Sequence, residues 1–189
     1  MPSEFNESLL AELQAGLREL ESRSQRRTLA EITGVNFCSN DYLGLADNPA
    51  LKQTVIEAMS RATRIGGTGS RLLSGHAAVW NELEEEFSAF AGGAAALYFG
   101  SGYAANIGLL TSLANKNDTI FSDALNHASI IDGIRLSGAR KIIYPHRDLN
   151  ALESSLKENQ SKPGRKLIVT ETVFSMDGDV APVAEIDHA

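Results

Sequence analysis

The run Leu97-Tyr98-Phe99 stops abruptly at Gly100-Ser101-Gly102, and Tyr103-Ala104-Ala105-Asn106 follows, with apolar residues at helical spacing in Ala104, Ile107, Leu110 and Leu113. A strand that ends in small residues and reopens as a helix leaves unpaired N–H donors at the positive end of the helix dipole, a seat for phosphate. Small residues also allow a ligand to approach the main chain closely. Two kinds of phosphate compete for such a seat: the pyrophosphate of a dinucleotide and the monoester of a smaller cofactor. Gly100-x-Gly102-x-x-Ala105 matches a loose dinucleotide fingerprint, and Asp123 stands about 20 residues on, where a ribose-binding acid belongs. Against that reading, a long structured region precedes the fingerprint. Asp123 is also followed by the polar run Ala124-Leu125-Asn126-His127-Ala128-Ser129. Spacing alone leaves the two even.

His127 opens its own helix just past a strand end, where a neutral imidazole can stack on an aromatic ligand; the alternative is a helix-start histidine with no ligand. Ser175, in Glu171-Thr172-Val173-Phe174-Ser175-Met176-Asp177-Gly178-Asp179, follows another strand and could bond a ligand oxygen or serve as an ordinary turn serine. Asp177 and Asp179 are too few and wrongly spaced for a calcium loop and read as turn formers. His76 and His146 have no evident partner and read as surface or packing residues. The glycine cluster Gly66-Gly67-Thr68-Gly69-Ser70-Arg71 lacks the Gly-Lys-Ser/Thr ending of a nucleoside-triphosphate loop, yet Arg71 and Leu72-Leu73 argue for an ordered loop over a flexible linker. The Glu82, Glu84, Glu85 and Glu86 run has no histidine at ligand spacing and reads as solvated surface, so no metal site is expected. No Gly-x-Ser-x-Gly nucleophile elbow occurs.

A 189-residue chain with net charge −7 can bury a core, and its acidity argues against nucleic-acid binding. The single cysteine, Cys38, excludes an internal disulfide, fits a reducing compartment and reads as a small core residue beside Phe37. No apolar run suits a membrane span and the acidic N-terminus lacks a signal-peptide pattern, so a cytoplasmic protein is expected.

The elements that must position these groups begin with an amphipathic helix over residues 4–23, its Leu9, Leu10, Leu13, Leu17 and Leu20 on one stripe. A short strand is expected over 35–38. A helix opens at Asn48-Pro49, and another spans 77–91, burying Trp80, Leu83, Phe87 and Phe90. Strands are then expected at 95–99, 119–122, 141–144 and 167–170. Helices fall between them at 103–114, 127–136 and 149–159, the last capped by Asp148. The alternation implies an α/β fold, a mainly parallel sheet covered on both faces in three α/β/α layers, with ligands at the carboxyl ends of the strands. Residues 1–48 read as an N-terminal helix and arm, and 49–189 as the α/β body.

Five motifs in order cover nearly the whole chain. They are Asn36-Phe37-Cys38-Ser39-Asn40-Asp41-Tyr42-Leu43-Gly44-Leu45, Gly67-Thr68-Gly69-Ser70-Arg71-Leu72-Leu73-Ser74-Gly75, Ser101-Gly102-Tyr103-Ala104-Ala105-Asn106, Ser122-Asp123-Ala124-Leu125-Asn126-His127-Ala128-Ser129, and Val173-Phe174-Ser175-Met176-Asp177-Gly178. Together they resemble the α-oxoamine synthases. Those are pyridoxal-phosphate (PLP) enzymes of the aspartate-aminotransferase fold (fold type I) that join an amino acid to an acyl thioester with loss of carbon dioxide. Gly-Ser-Arg-Leu-Leu-Ser-Gly is most similar to the biotin-pathway branch, which implies L-alanine and a pimeloyl thioester on CoA or acyl carrier protein. The Asn-His-Ala-Ser run is equally at home in the glycine C-acetyltransferase and 5-aminolevulinate synthase branches. The resemblance implies that Ser101, Gly102 and Tyr103 hold the cofactor phosphate, His127 stacks on its ring and helps place substrate, Ser175 bonds its phenolic oxygen, and Glu171 supports that loop. Arg27, Asn40, Ser70 and His127 would face substrate, and the site would form in a homodimer. The family's Schiff-base lysine would lie beyond Ala189, since none of Lys52, Lys116, Lys141, Lys157, Lys162 and Lys166 sits in its lysine motif. The expectation is therefore an incomplete enzyme, with residues 49–189 implied to be the N-terminal part of its larger cofactor-binding domain. A dinucleotide-dependent dehydrogenase and a non-catalytic truncated homologue are the competing readings.

Overall fold

The computed structural model describes residues 4–188, with side chains from residue 7 onward. The chain divides into two compact units, residues 1–65 and 66–189.

In the first unit, helix α1 spans Glu4–Ser22 and helix α2 spans Pro49–Arg61. Asn48 caps α2, its Oδ1 accepting from the Leu51 N–H at 3.0 Å, with Pro49 opening the helix as expected. Between the helices Asp41 builds a turn by accepting from the N–H groups of Leu45 (2.8 Å) and Ala46 (3.0 Å). The strand expected at 35–38 is not formed. An extended segment needs a neighbouring edge for its N–H and C=O groups, and no other strand lies among the described residues of this unit. Cys38 and Phe37 are accordingly exposed, which corrects the expectation of a core cysteine.

The second unit carries helices α3 (Ala78–Ala91), α4 (Gly102–Leu113), α5 (Ala128–Ser137), α6 (Leu149–Glu158) and α7 (Val183–Asp187). Strands β1 (Thr119–Asp123), β2 (Arg140–Tyr144) and β3 (Lys166–Val169) form a parallel sheet in the order β2-β1-β3. Every residue of β1 is buried, because it has a strand on each side and helices over both faces. Ile120 packs with Leu110, Ala114, Ile130 and Ile134 from α4, its C-cap and α5. On the opposite face Phe121 packs with Tyr144 and with Leu152 of α6. The three-layer arrangement inferred from the alternation is thus present. Helix α4 meets α5 closely at Gly133, where an added Cβ would stand 2.8 Å from Leu110 Cδ1 and 3.1 Å from the Asn106 carbonyl oxygen.

Three expectations for this unit are corrected. Residues 95–99 form no strand and pair with none among the described residues; the Tyr98 N–H instead donates to Glu84 Oε1 at 2.8 Å. The face of α3 expected to be buried is mostly open, with Phe87 57% and Phe90 87% exposed. Glu84 is not solvated surface: its two oxygens take the Arg71 guanidinium at 2.6 and 3.0 Å. Hydrogen bonding from Arg71, then from the Tyr98 N–H, holds the Glu84 carboxyl down at about 2. Arg71 also lies 5.7 Å from the centre of Trp80, which stacks on Tyr98, so the glycine-rich loop is anchored to α3 and to the segment leading into α4.

At the other end of the sheet the buried Asp118 carboxylate accepts from the backbone N–H groups of Asn115 (3.0 Å) and Arg165 (2.9 Å) and from the Arg165 guanidinium (2.8 Å). It joins the turn before β1 to the start of β3. Gly164, beside it, has φ +84°, and a Cβ there would stand 1.8 Å from the Asn117 carbonyl oxygen. Gly164→Ala is therefore expected to cost more than about 1 kcal/mol, read as a lower urea midpoint at unchanged slope. An unchanged midpoint would show that this turn is not tight.

Candidate active site at the strand ends

The N-terminus of α4 is built by Ser101, whose Oγ accepts from the Ala104 N–H at 3.1 Å while its carbonyl accepts from Ala105 at the same distance. The N–H groups of Gly102 and Tyr103, in the first turn, have no acceptor within the helix and remain as donors. Tyr103 donates its hydroxyl hydrogen to Asp132 on α5, which raises the tyrosine pKa and fixes the ring. The ring meets His127 edge-on, with centroids 6.5 Å apart and planes at 76°.

His127 is the N-cap of α5. Its backbone N–H donates to Glu171 Oε1, tying the start of α5 to the residues after β3. Its Nδ1 accepts from the Ser129 N–H at 3.1 Å and lies 2.7 Å from Ser129 Oγ, which itself accepts from Asn106 Nδ2 at 2.8 Å. With Nδ1 an acceptor, the proton of the neutral ring belongs on Nε2. These groups border a cleft of about 610 Å³, lined by Gly102, Tyr103, Asn106, His127, Thr170 and Glu171 among others, at the carboxyl ends of β1 and β3. Free helix-start donors beside an oriented imidazole suit a phosphorylated planar ligand. The residues lining the cleft include no lysine.

The expected site residues separate into groups. Gly102, Tyr103, His127 and Glu171 share the cleft, and Ser101 sits behind them as the cap of α4. Ser175 lies at the exposed tip of a hairpin whose Val173 lines the cleft. Ser70 turns the glycine-rich loop, its carbonyl accepting from Leu73, Ser74 and Gly75. Arg27 and Asn40 belong to the first unit and are exposed.

Asp123 corrects the dinucleotide reading. Its side chain accepts from the N–H groups of Leu125 (2.9 Å) and Arg147 (3.0 Å), faces His146 Nδ1 at 2.9 Å and is 1% exposed, so it is spent on the fold and closed to a ribose hydroxyl. The Gly100-to-Ala105 fingerprint also lacks the paired strand it requires. His146 and Asp179, read from sequence as unpartnered and as a turn former, are bonded to each other at 3.0 Å. The position of His146 just past the end of β2 was the available signal. Ser129 and Asn106 stood inside quoted motifs, but their link to His127 Nδ1 depends on how α4 crosses α5. We expect ring ¹⁵N shifts of His127 to report the Nε2–H tautomer, and Ser129→Ala to give a tautomer mixture; an Nδ1–H ring in the unaltered chain would contradict this network.

Residues 32–189 match the family Aminotransferase class I and II. The chain is 48% identical over 187 residues to the 8-amino-7-oxononanoate synthase of Geotalea daltonii, covering 96% of this chain and 47% of that protein. It is 48% identical over 196 residues to the enzyme of the same name from Burkholderia cenocepacia, covering 95% and 49%. Among solved structures it is similar to a serine palmitoyltransferase from S. paucimobilis with PLP and myriocin bound (TM-score 0.78, 29% identity, 95% of this chain and 48% of that one). It is also similar to the 8-amino-7-oxononanoate synthase of Francisella tularensis (TM-score 0.65, 32% identity, 80% and 41%). These relatives are α-oxoamine synthases of fold type I, as the five motifs imply. The chain spans about half the length of the curated relatives it matches. Motifs, sheet and relatives agree: the chain belongs to the aminotransferase class I and II family.

Proposed function

We propose that this chain carries the phosphate-facing and ring-facing wall of a PLP-dependent acyltransferase of the 8-amino-7-oxononanoate synthase type. The single observation that carries the reading is the cleft in which free N–H donors of Gly102 and Tyr103 lie beside the tautomer-fixed His127. The names of the relatives support the biotin-pathway substrates, L-alanine and a pimeloyl thioester.

In this reading the α4 N-terminus binds the phosphate through Gly102 and Tyr103, with Ser101 holding the turn in shape. His127 supplies a flat, oriented face for the pyridine ring and a proton on Nε2 for the substrate carboxylate. Ser175 bonds the phenolic oxygen, and Glu171 fixes the start of α5. Arg27, Asn40 and Ser70 contribute to substrate recognition. PLP, when bound, supplies an electron sink for negative charge at the α-carbon of the amino acid. No lysine lines the cleft, which supports a reading in which these 189 residues hold the cofactor noncovalently and do not turn over by themselves. Exposed Leu109, Leu113 and Phe90 are apolar surface left for further polypeptide to cover, whether the remainder of an intact enzyme or a second subunit; assembly as a homodimer is carried by the family resemblance. The single unpaired cysteine fits a cytoplasmic enzyme.

The test is equilibrium binding of PLP against pyridoxal, which lacks the phosphate, and against NAD. PLP should bind on the order of tenfold or more tighter than pyridoxal, and His127→Ala should weaken PLP binding roughly three- to tenfold. Borohydride should leave no stoichiometric adduct on one lysine. Joined with the C-terminal half of the Geotalea daltonii enzyme, the chain should release carbon dioxide from L-alanine with pimeloyl-CoA in preference to glycine with acetyl-CoA. Tight NAD binding without PLP binding would overturn the proposal.

A further inference from the structure

Outside the cleft, a cluster of charged side chains at the strand ends centres on His146. Both ring nitrogens face carboxylate oxygens: Nδ1 lies 2.9 Å from Asp123 Oδ1 and Nε2 lies 3.0 Å from Asp179 Oδ2. Carboxylate oxygens only accept, so both nitrogens donate and the bridging form is the imidazolium. The ring is further set by Phe174, which is buried and packs edge-on at 4.4 Å and 83°. Arg147, the remaining charged group at the cluster, donates its backbone N–H to Asp123 Oδ2 at 3.0 Å and its guanidinium to Asp179 Oδ2 at 2.9 Å. Arg147 adopts φ +57°, a left-handed conformation unusual for a residue with a side chain, and so is held in place by these bonds.

Three segments meet here: the end of β1 through Asp123, the turn after β2 through His146 and Arg147, and the hairpin of residues 173–180 through Asp179. The hairpin's own backbone ties are few. Val173 and Val180 form one bridge, Phe174 N–H donates to the Asp179 carbonyl at 2.9 Å, Gly178 N–H to the Phe174 carbonyl at 2.8 Å, and at the base Ala181 N–H to the Thr172 carbonyl at 2.9 Å. Among the described residues, the side-chain hydrogen bonds that join it to the strand ends all run through Asp179.

We propose that His146, in its doubly protonated form, is a positioning residue that pins the 173–180 hairpin to the end of β1 and so fixes Ser175 beside the cleft. On loss of a proton the deeply buried Asp123 carboxylate, which water cannot reach, keeps Nδ1–H, so Nε2 presents a lone pair to the more exposed Asp179 and that bond is lost, leaving Arg147 as the remaining tie to Asp179. Asp123, and then Asp179, raise the His146 pKa above its ordinary value, while burial opposes them. A histidine raised by its partners contributes its full stabilisation below about 6.5, its ordinary value, and loses it as pH rises through the folded-state value. The hairpin should therefore loosen on the alkaline side.

The pin itself stands on geometry, whereas the role given to Ser175 rests on the proposed function; the experiment separates the two. In the cofactor-free full chain, hydrogen-exchange protection factors of Phe174, Gly178 and Ala181 are measured across pH while NMR follows the His146 ring. Protection should fall on the order of tenfold or more, with a midpoint matching the His146 titration, which lies above about 6.5. His146→Gln should show the low value at every pH. Should that variant fail to protect Ile120 in the core, Asp179→Ala, which removes the acceptor on the hairpin and keeps the Asp123–His146 bond, should show the same hairpin loss and a lowered His146 titration. Hairpin protection that ignores the His146 titration, or that survives in Asp179→Ala, overturns the pin. PLP affinity measured on the same samples reads the second part. If wild type binds PLP and a loosened hairpin does not weaken it, Ser175 positioning is overturned. If wild type does not bind PLP, the proposed function fails while the exchange data still decide the pin.

Discussion

A carboxylate buried at the end of a central strand cannot be left without donors, and Asp123 is that group here. Its side chain is almost wholly enclosed at the last position of β1, where water cannot replace a missing partner. Leu125 N–H closes the turn into α5, Arg147 N–H fixes the turn after β2, and His146 extends the connection to the hairpin beyond β3. One anion thereby sets three connections at the carboxyl end of the sheet. The cleft lies at that same end, and the start of α5 that presents His127 follows directly from the turn Asp123 closes.

The groups facing the cleft are each constrained by something that is not a ligand. Ser101 holds the α4 turn, Asp132 holds Tyr103, Ser129 and Asn106 set the His127 ring, and Glu171 holds its backbone. Such support lowers the ordering cost of binding, because donors already stand where a phosphate and a ring would meet them. The same division appears at the glycine-rich loop. Arg71 there serves Glu84 and Trp80, so its charge is used within the fold.

Local chemistry made much of this legible in the sequence. Asn48-Pro49 and Asp148 mark helix starts because capping depends on adjacent residues, and the three strands read from apolar runs pair as expected. The helix-start phosphate seat and the place of His127 at a strand end follow from the same local rules. What depends on distant neighbours was not legible. Residues 95–99 have strand composition but no partner edge, and the Val35-to-Cys38 run lacks one as well. Glu84 looked like its glutamate neighbours until Arg71 met it from thirteen residues upstream. Asp123 looked like a ribose acid, but Arg147 and His146 meet it from beyond β2 and enclose it.

Whether the start of α4 and the His127 ring receive a phosphorylated planar ligand, as proposed, is read most directly from an amide ¹H–¹⁵N map of the ¹⁵N-labelled chain titrated with PLP and, separately, with inorganic phosphate. Saturable shifts of the Gly102 and Tyr103 amides are expected with both ligands, and of His127 with PLP alone. Saturable PLP binding that leaves Gly102, Tyr103 and His127 unmoved would place the ligand elsewhere and overturn the proposed site.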